Sequence, residues 1–195
     1  MSIRYSENIV TENIAYKAGL WIKPQGVFLH SLGCSMTVEQ AIENMNTGVD
    51  SKRMGVHAIV DLDSVCVTLP IDVLTRESMR NLHGGLSSND THIGITMTEP
   101  DSIKYVGESQ WINLNETKTK YHMTQVYKTA VEYVSLLCQI FEWNPLESGV
   151  IMTHKSGYEA GIATAHSDPE HIWDKIGLSL EQFRLDVQEY MLKLQ

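Results

Sequence analysis

Gly26-Val27-Phe28-Leu29-His30-Ser31-Leu32-Gly33-Cys34 is the stretch on which the fold turns. Its apolar residues run without interruption into a histidine, and the turn-prone Ser31–Cys34 follows. A short apolar run bounded by turn signals reads as a buried strand, so a strand is predicted over 26–30 with His30 at its end. The pattern recurs far downstream in Val150-Ile151-Met152-Thr153-His154, again an apolar strand that delivers a histidine. Between these two runs, His57–Asp61 and Ser64–Leu69 are β-rich and separated by the short polar turn Leu62-Asp63, the arrangement of a hairpin. His92–Met97 is a further predicted strand.

Helical signals alternate with these strands. Thr37 opens a Thr-Val-Glu-Gln capping box followed by Ala41, Ile42 and Met45 at helical spacing. From about Lys118 to Phe141 there is no Gly or Pro, and Val126, Ala130, Tyr133, Val134 and Leu137 form an apolar stripe, which predicts the longest helix. Ser179 to Leu194 reads as a closing amphipathic helix. The alternation implies an α/β domain with a mixed central β-sheet flanked by helices.

At 195 residues and 43% hydrophobic, the chain suits one domain with a substantial core, and no repeat or linker divides it. A net charge of -9 with only 15 Lys and Arg disfavours a phosphate-binding face, so nucleic acid is not an expected partner. No stretch reaches the roughly 18 continuous apolar residues that a membrane span requires, and the amino terminus lacks an apolar signal core. The expectation is a protein made in the cytoplasm without a signal peptide and without membrane insertion. Cys34, Cys66 and Cys138 are odd in number and set in apolar sequence, which suits free thiols.

The residues that carry chemistry are His30, His154 and the cluster His166-Ser167-Asp168-Pro169. Three N and O ligands that leave a fourth position for water make a catalytic zinc site, and the absence of any Cys-x-x-Cys argues against a closed structural one. On the residues alone, His30 and His154 read equally as hydrogen-bonded histidines of the core or rim.

Taken together, Phe28–Cys34, Val56-His57-Ala58-Ile59-Val60-Asp61, Leu82-His83-Gly84-Gly85, Asn89–Ile95, Thr153-His154, Gly161-Ile162-Ala163 and His166–Trp173 resemble the amidase_2 family of N-acetylmuramoyl-L-alanine amidases. This family includes phage lysozyme-type amidases and the animal peptidoglycan recognition proteins. The similarity is strongest to amidases of clostridial and gut-bacterial phages, and the motifs span about residues 11 to 190 in the family's order.

The resemblance implies a single zinc amidase domain over 1–195, with peptidoglycan as substrate and Zn2+ as cofactor. It places His30, His154 and Asp168 as metal ligands, with His166 as an alternative to Asp168. It also makes His166 the group that steadies the oxyanion, a place where relatives commonly carry a cation. His57 and His83 fall at positions that line the substrate groove, and read as substrate contacts or as ordinary sheet-edge histidines. Thr96 stands where many relatives have a glutamate that acts as general base. Glu99 lies at opposite strand parity from Thr96 and is expected to face away if the strand continues. After His154, close relatives often have an acidic residue before the glycine where this chain has Lys155-Ser156-Gly157. Trp111 and Tyr105, in a loop-like segment around Gly107, are read as stacking on sugar or peptide or as capping a core, and His171 and Trp173 as local packing. The implied activity is hydrolysis of the amide between N-acetylmuramic acid and L-alanine by a phage-type lysin that reaches the wall after release. The alternative is a peptidoglycan-binding module of the same fold without catalysis.

Overall fold

The computed structural model describes residues 3–47, 55–75, 85, 87–107 and 109–194. The predicted strand on which the fold turns is β2 (Gly26–Ser31), and it lies inside a six-stranded sheet. Its neighbours are β5 (His92–Met97) on one side and β8 (Ile151–Thr153) on the other, both parallel to it. Beyond β5 come β3 (Ala58–Val60), β4 (Ser64–Val67) and the edge strand β1 (Arg4–Glu7), in the order β1-β4-β3-β5-β2-β8. Among the described strands of this sheet the β3–β4 hairpin alone is antiparallel, so the sheet is mixed as expected. β2 and β5 are buried along nearly their whole length, as strands covered on both faces must be, and that is why they read as unbroken apolar runs.

Period-two alternation divides the two faces. Val27, Leu29, Ile93, Ile95 and Met97 join a core with Val126, Ala130, Val134 and Leu137 of the long helix α3 (Glu116–Ile140). Trp173 of α5 (Glu170–Ile176) and Phe183 of α6 (Leu180–Lys193) complete it, their rings stacked at 5.6 Å. Complete burial of such a ring contributes about 1.5–3 kcal/mol. On the opposite face, Ile59 packs with Ala15 of α1 (Ile14–Ala18) and with Ala41 and Met45 of α2 (Val38–Thr47). The predicted capping box opens α2: Gln40 N donates to Thr37 Oγ1 at 3.3 Å, and Thr37 N donates to Gln40 Oε1 at 2.9 Å.

Three features depart from the sequence reading. His154 does not end β8 but begins α4 (His154–Glu159). The segment around Gly107 is a hairpin, β6 (Ile103–Tyr105) with β7 (Trp111–Asn113), rather than a loop. β1 adds a parallel edge that no local pattern announced. Cys66 and Cys138 are buried free thiols, and Cys34 is partly exposed and also free. Among the described residues no helix is long and apolar enough to cross a membrane.

Candidate metal centre and pocket

The alternation that sends Val27 and Leu29 into the core sends Phe28 and His30 to the other face. Register then sets Gly94 and Thr96 of β5 beside them, and Met152 of β8 opposite Phe28. His154 follows Met152 by two residues, and a capping box holds it at the junction of strand and helix. Thr153 N donates to Ser156 Oγ at 2.9 Å, Ser156 N donates to Thr153 Oγ1 at 3.2 Å, and the Thr153 hydroxyl donates to Glu170. Helix α4 can close onto β2 because residue 157 is glycine: a Cβ there would stand 2.5 Å from the Phe28 ring. Phe28 lies directly beneath both imidazoles, with ring centroids 5.0 Å from His30 and 5.8 Å from His154.

Asp168 arrives from the segment that leads into α5, and the backbone anchors it twice. His154 N donates to the Asp168 carbonyl at 3.2 Å, and Ser31 N donates to Asp168 Oδ2 at 3.3 Å. Its carboxylate lies between the two imidazoles, with Oδ2 3.1 Å from His30 Nδ1 and Oδ1 3.1 Å from His154 Nδ1. Burial acts to raise the Asp168 pKa, but hydrogen bonds and charge from His154 and His30 outweigh it and hold the carboxyl well below the usual carboxylate range. Asp168 is therefore an anion at any physiological pH.

Two imidazoles and a carboxylate, with one ligand atom from each within 4.8 Å of the others, form a group that can hold a metal ion. The donor set fits zinc of the catalytic type. For ligands about 2.0–2.2 Å from a tetrahedral ion, neighbouring donors stand about 3.3 Å apart, close to the spacing between each imidazole and Asp168. His30 Nε2, on the other side of the ring from Asp168, is buried and has no hydrogen-bond partner among the described residues.

A cavity of about 390 Å3 opens above this group, lined among others by His30, Thr96, Tyr105, His154, His166, Asp168 and His171. A larger cavity, about 650 Å3, lies away from these residues between α3 and α6. His166 stands in the pocket wall with its ring centroid 4.7 Å from that of His154. Thr96 lines the floor beside His30, as its strand register requires.

His57 needs correction as a groove residue. It is fully buried, its Nε2 hydrogen-bonds Val73 O at 2.8 Å, and its Nδ1 accepts from Gly94 N at 2.8 Å. The ring ties β3 to β5 from within and does not line the pocket. Burial lowers its pKa to about 4, against the opposing bond to Val73. His83 lies outside the described residues. His92 and His122, assigned no role from sequence, are bound to Gly149 O and to Thr98.

Sequence reasoning missed a second cluster in the pocket wall. β5 ends at Met97 and the chain then turns, so strand parity does not extend to Glu99. The Glu99 side chain instead comes beneath the loop after β2, where Oε1 accepts from Gly33 N at 3.0 Å. Oε2 accepts from the Tyr105 hydroxyl at 2.9 Å, and Tyr105 Oη lies 2.6 Å from His171 Nε2. Burial raises the Glu99 pKa although the Ser31 side chain, the Tyr105 hydroxyl and Gly33 N oppose it, and burial together with Glu99 raises that of Tyr105. Trp111 Nε1 donates to the His171 carbonyl at 3.2 Å, so both strands of the hairpin are fastened to α5. Trp173 is core, as read, whereas His171 faces the pocket.

The mixed sheet flanked by helices is the fold of solved N-acetylmuramoyl-L-alanine amidase and endolysin catalytic domains. The Staphylococcus aureus hydrolase AmiA, solved in complex with its ligand, superposes with a TM-score of 0.71 at 19% identity, over 100% of this chain and 86% of AmiA. The PlyG catalytic domain gives 0.66 at 13% identity, over 97% of this chain and 96% of its own. The N-acetylmuramoyl-L-alanine amidase LysC from Clostridium intestinale gives 0.53 at 12% identity, over 91% and 100%. At these identities the likeness is one of fold. Neither a family model nor any curated protein sequence matches the chain.

Proposed function

We propose that the chain is a zinc-dependent N-acetylmuramoyl-L-alanine amidase of the endolysin kind, a single catalytic domain that opens the amide between N-acetylmuramic acid and L-alanine in peptidoglycan at the bacterial cell wall. The observation that carries this reading is the convergence of His30, His154 and Asp168 at the floor of an open pocket. These three side chains would hold the ion. When bound, zinc makes water more acidic and polarises a carbonyl.

The protein's own groups supply the rest. Asp168, kept anionic by its two imidazole neighbours, offsets the charge of the site and orients both rings through one carboxylate. His166 projects from the wall beside His154 and donates a hydrogen bond to the oxygen of the amide as its carbon becomes tetrahedral, where a preorganised donor is most effective. The Thr96 hydroxyl, on the floor next to His30, contacts the substrate.

One observation favours a second reading, recognition of peptidoglycan without hydrolysis: Thr96 offers a hydroxyl where a carboxylate would act as base. A metal analysis coupled to a peptidoglycan digest tests both. The amidase reading expects about one zinc per chain and new α-amino groups on L-alanine without new reducing sugar ends. New reducing ends alone would indicate glycan cleavage, and tight muropeptide binding with no amine released in added zinc would establish the binding module.

A further inference from the structure

The pocket holds few groups that can accept a proton. Asp168 is committed to His30 and His154, Thr96 is a neutral alcohol, and the remaining titratable side chains in the lining, among the described residues, are His166, Tyr105 and His171. Behind Tyr105 lies Glu99, only 2% exposed and not itself part of the lining. The Tyr105 hydroxyl thus joins the pocket to a buried carboxylate.

We propose that Tyr105 is the acid–base residue of this pocket, with Glu99 behind it as the store for the proton and His171 as the group that fixes its hydroxyl. The proposal rests on the amidase reading and supplies the base that Thr96 cannot.

The bonding pattern defines the direction of transfer. Tyr105 has one proton and donates it to Glu99 Oε2 at 2.9 Å, so at 2.6 Å His171 is the donor, through Nε2–H, to the tyrosine oxygen. That leaves one lone pair of Oη for a water in the pocket. As that water attacks the amide carbon, its oxygen forms the new C–O bond and the carbonyl π pair moves onto the carbonyl oxygen. The water's proton passes to Tyr105 Oη, and the tyrosine's own proton passes to Glu99 Oε2. Glu99 becomes a neutral acid, the form that its buried surroundings favour. The proton then returns by the same route to the amide nitrogen as the C–N bond breaks. The products are one carboxylic acid and one amine, with the relay restored. Gly33 N, donating to Glu99 Oε1 at 3.0 Å, keeps the carboxylate aimed at the tyrosine throughout.

The hairpin that carries Tyr105 is held for this task. β6 is fastened to α5 through Tyr105 and His171, β7 through Trp111 and the His171 carbonyl, and Ser167 Oγ donates to Ser109 Oγ at 2.7 Å across the pocket rim. Asp168 and Tyr105 are therefore placed by the same stretch, 167–171.

The test compares zinc-loaded wild type with Tyr105→Phe and Glu99→Gln, measuring kcat and KM for amine release from a soluble muropeptide between pH 5 and 9. Zinc content, calorimetric muropeptide binding and the 15N NMR signals of His171 are read on the same samples. Each variant is expected to lose kcat by about 100-fold or more, the usual worth of general acid–base help, with KM, binding and zinc unchanged. Glu99→Gln also loses the acid limb of the pH–rate profile. His171 is expected to be protonated at Nε2 in wild type, with that signal shifted in Tyr105→Phe. Wild-type kcat in either folded variant, losses explained by missing zinc or weaker binding, or a His171 proton on Nδ1 alone would each overturn the relay while the amidase reading stands. A wild type that releases no amine overturns the amidase reading, and the relay falls with it.

Discussion

His30 lies in the central sheet and His57 just before one of its strands, and both are almost equally hidden from solvent, yet their surroundings assign them opposite work. Backbone groups satisfy both nitrogens of His57, Val73 O on one side and Gly94 N on the other. His30 shares a carboxylate with a second histidine and keeps one nitrogen without a partner. A buried polar group left unmatched costs about 1–3 kcal/mol, and His57 avoids that cost at both nitrogens. The shared carboxylate, rather than burial or strand position, separates the histidine proposed as a metal ligand from the one that holds strands together.

The largest expected effect falls on the ligand side of this comparison. His30→Ala or His154→Ala is expected to abolish both zinc retention and wall lysis, because two remaining ligands cannot fix the ion's geometry. Zinc measured after dialysis against metal-free buffer, together with a turbidity assay on cell walls, decides the point. Full zinc occupancy in either variant would break the assignment. Within the same pocket, Asp168→Ala and His166→Ala are expected to fail differently. The first loses zinc; the second keeps it and loses turnover by about 100-fold, as when an oxyanion donor is removed. The reverse pattern would make His166 the ligand.

The structural side is probed by acid. Burial depresses the His57 pKa to about 4 from 6.5, so the native state resists the proton that the unfolded chain accepts. The unfolded state binds more protons below pH 6.5, and stability falls with pH from there until about pH 4, where the native ring also titrates. From pH 7 to pH 5 this group alone removes about 2 kcal/mol. His57→Gln starts from a lower stability but is expected to lose about 2 kcal/mol less over that interval, measured by urea unfolding at the two pH values. His92 and His122, shifted the same way by burial, act equally in both proteins and cancel. Equal pH slopes would mean that His57 titrates normally and is not sealed in the sheet.

What could be read in advance follows from how local each signal is. β2, β5 and the long helix are written in consecutive residues, as apolar runs or a helical stripe, and they appear within a few positions of their predicted ends. The three residues proposed as ligands could be singled out as a motif, but their convergence depends on contacts 138 residues apart, between His30 and Asp168. His57 was misplaced because a motif position does not say which way a side chain faces. It precedes β3, and its ring turns inward to meet Gly94 N, 37 positions away. For Glu99 the parity argument held only if the strand continued past Met97, and Pro100 signals that the ladder stops there. The Tyr105–His171 contact joins residues 66 apart and has no local signature at all.

The smallest expected effect sharpens the comparison from a third histidine. His122 on α3 is half-buried, and its Nε2 lies 3.1 Å from Thr98 Oγ1 and 3.3 Å from Thr98 O. Neither contact is the sole support of its partner. The Thr98 hydroxyl donates to Asp61 Oδ1 at 2.7 Å, and its amide donates to Val60 O at 2.9 Å. Replacing His122 by glutamine removes an imidazole bound only to structural groups and puts an amide donor within reach of the same carbonyl. The cost is expected to be that of one ordinary hydrogen bond, about 0.5–1.5 kcal/mol, read as a shifted urea midpoint at unchanged slope. Zinc content, kcat and KM should match wild type, because His122 does not line the pocket. A fall in kcat at constant zinc would show that turnover depends on the Asp61–Thr98–His122 link, and the division between chemical and structural histidines would then have to be redrawn through β5.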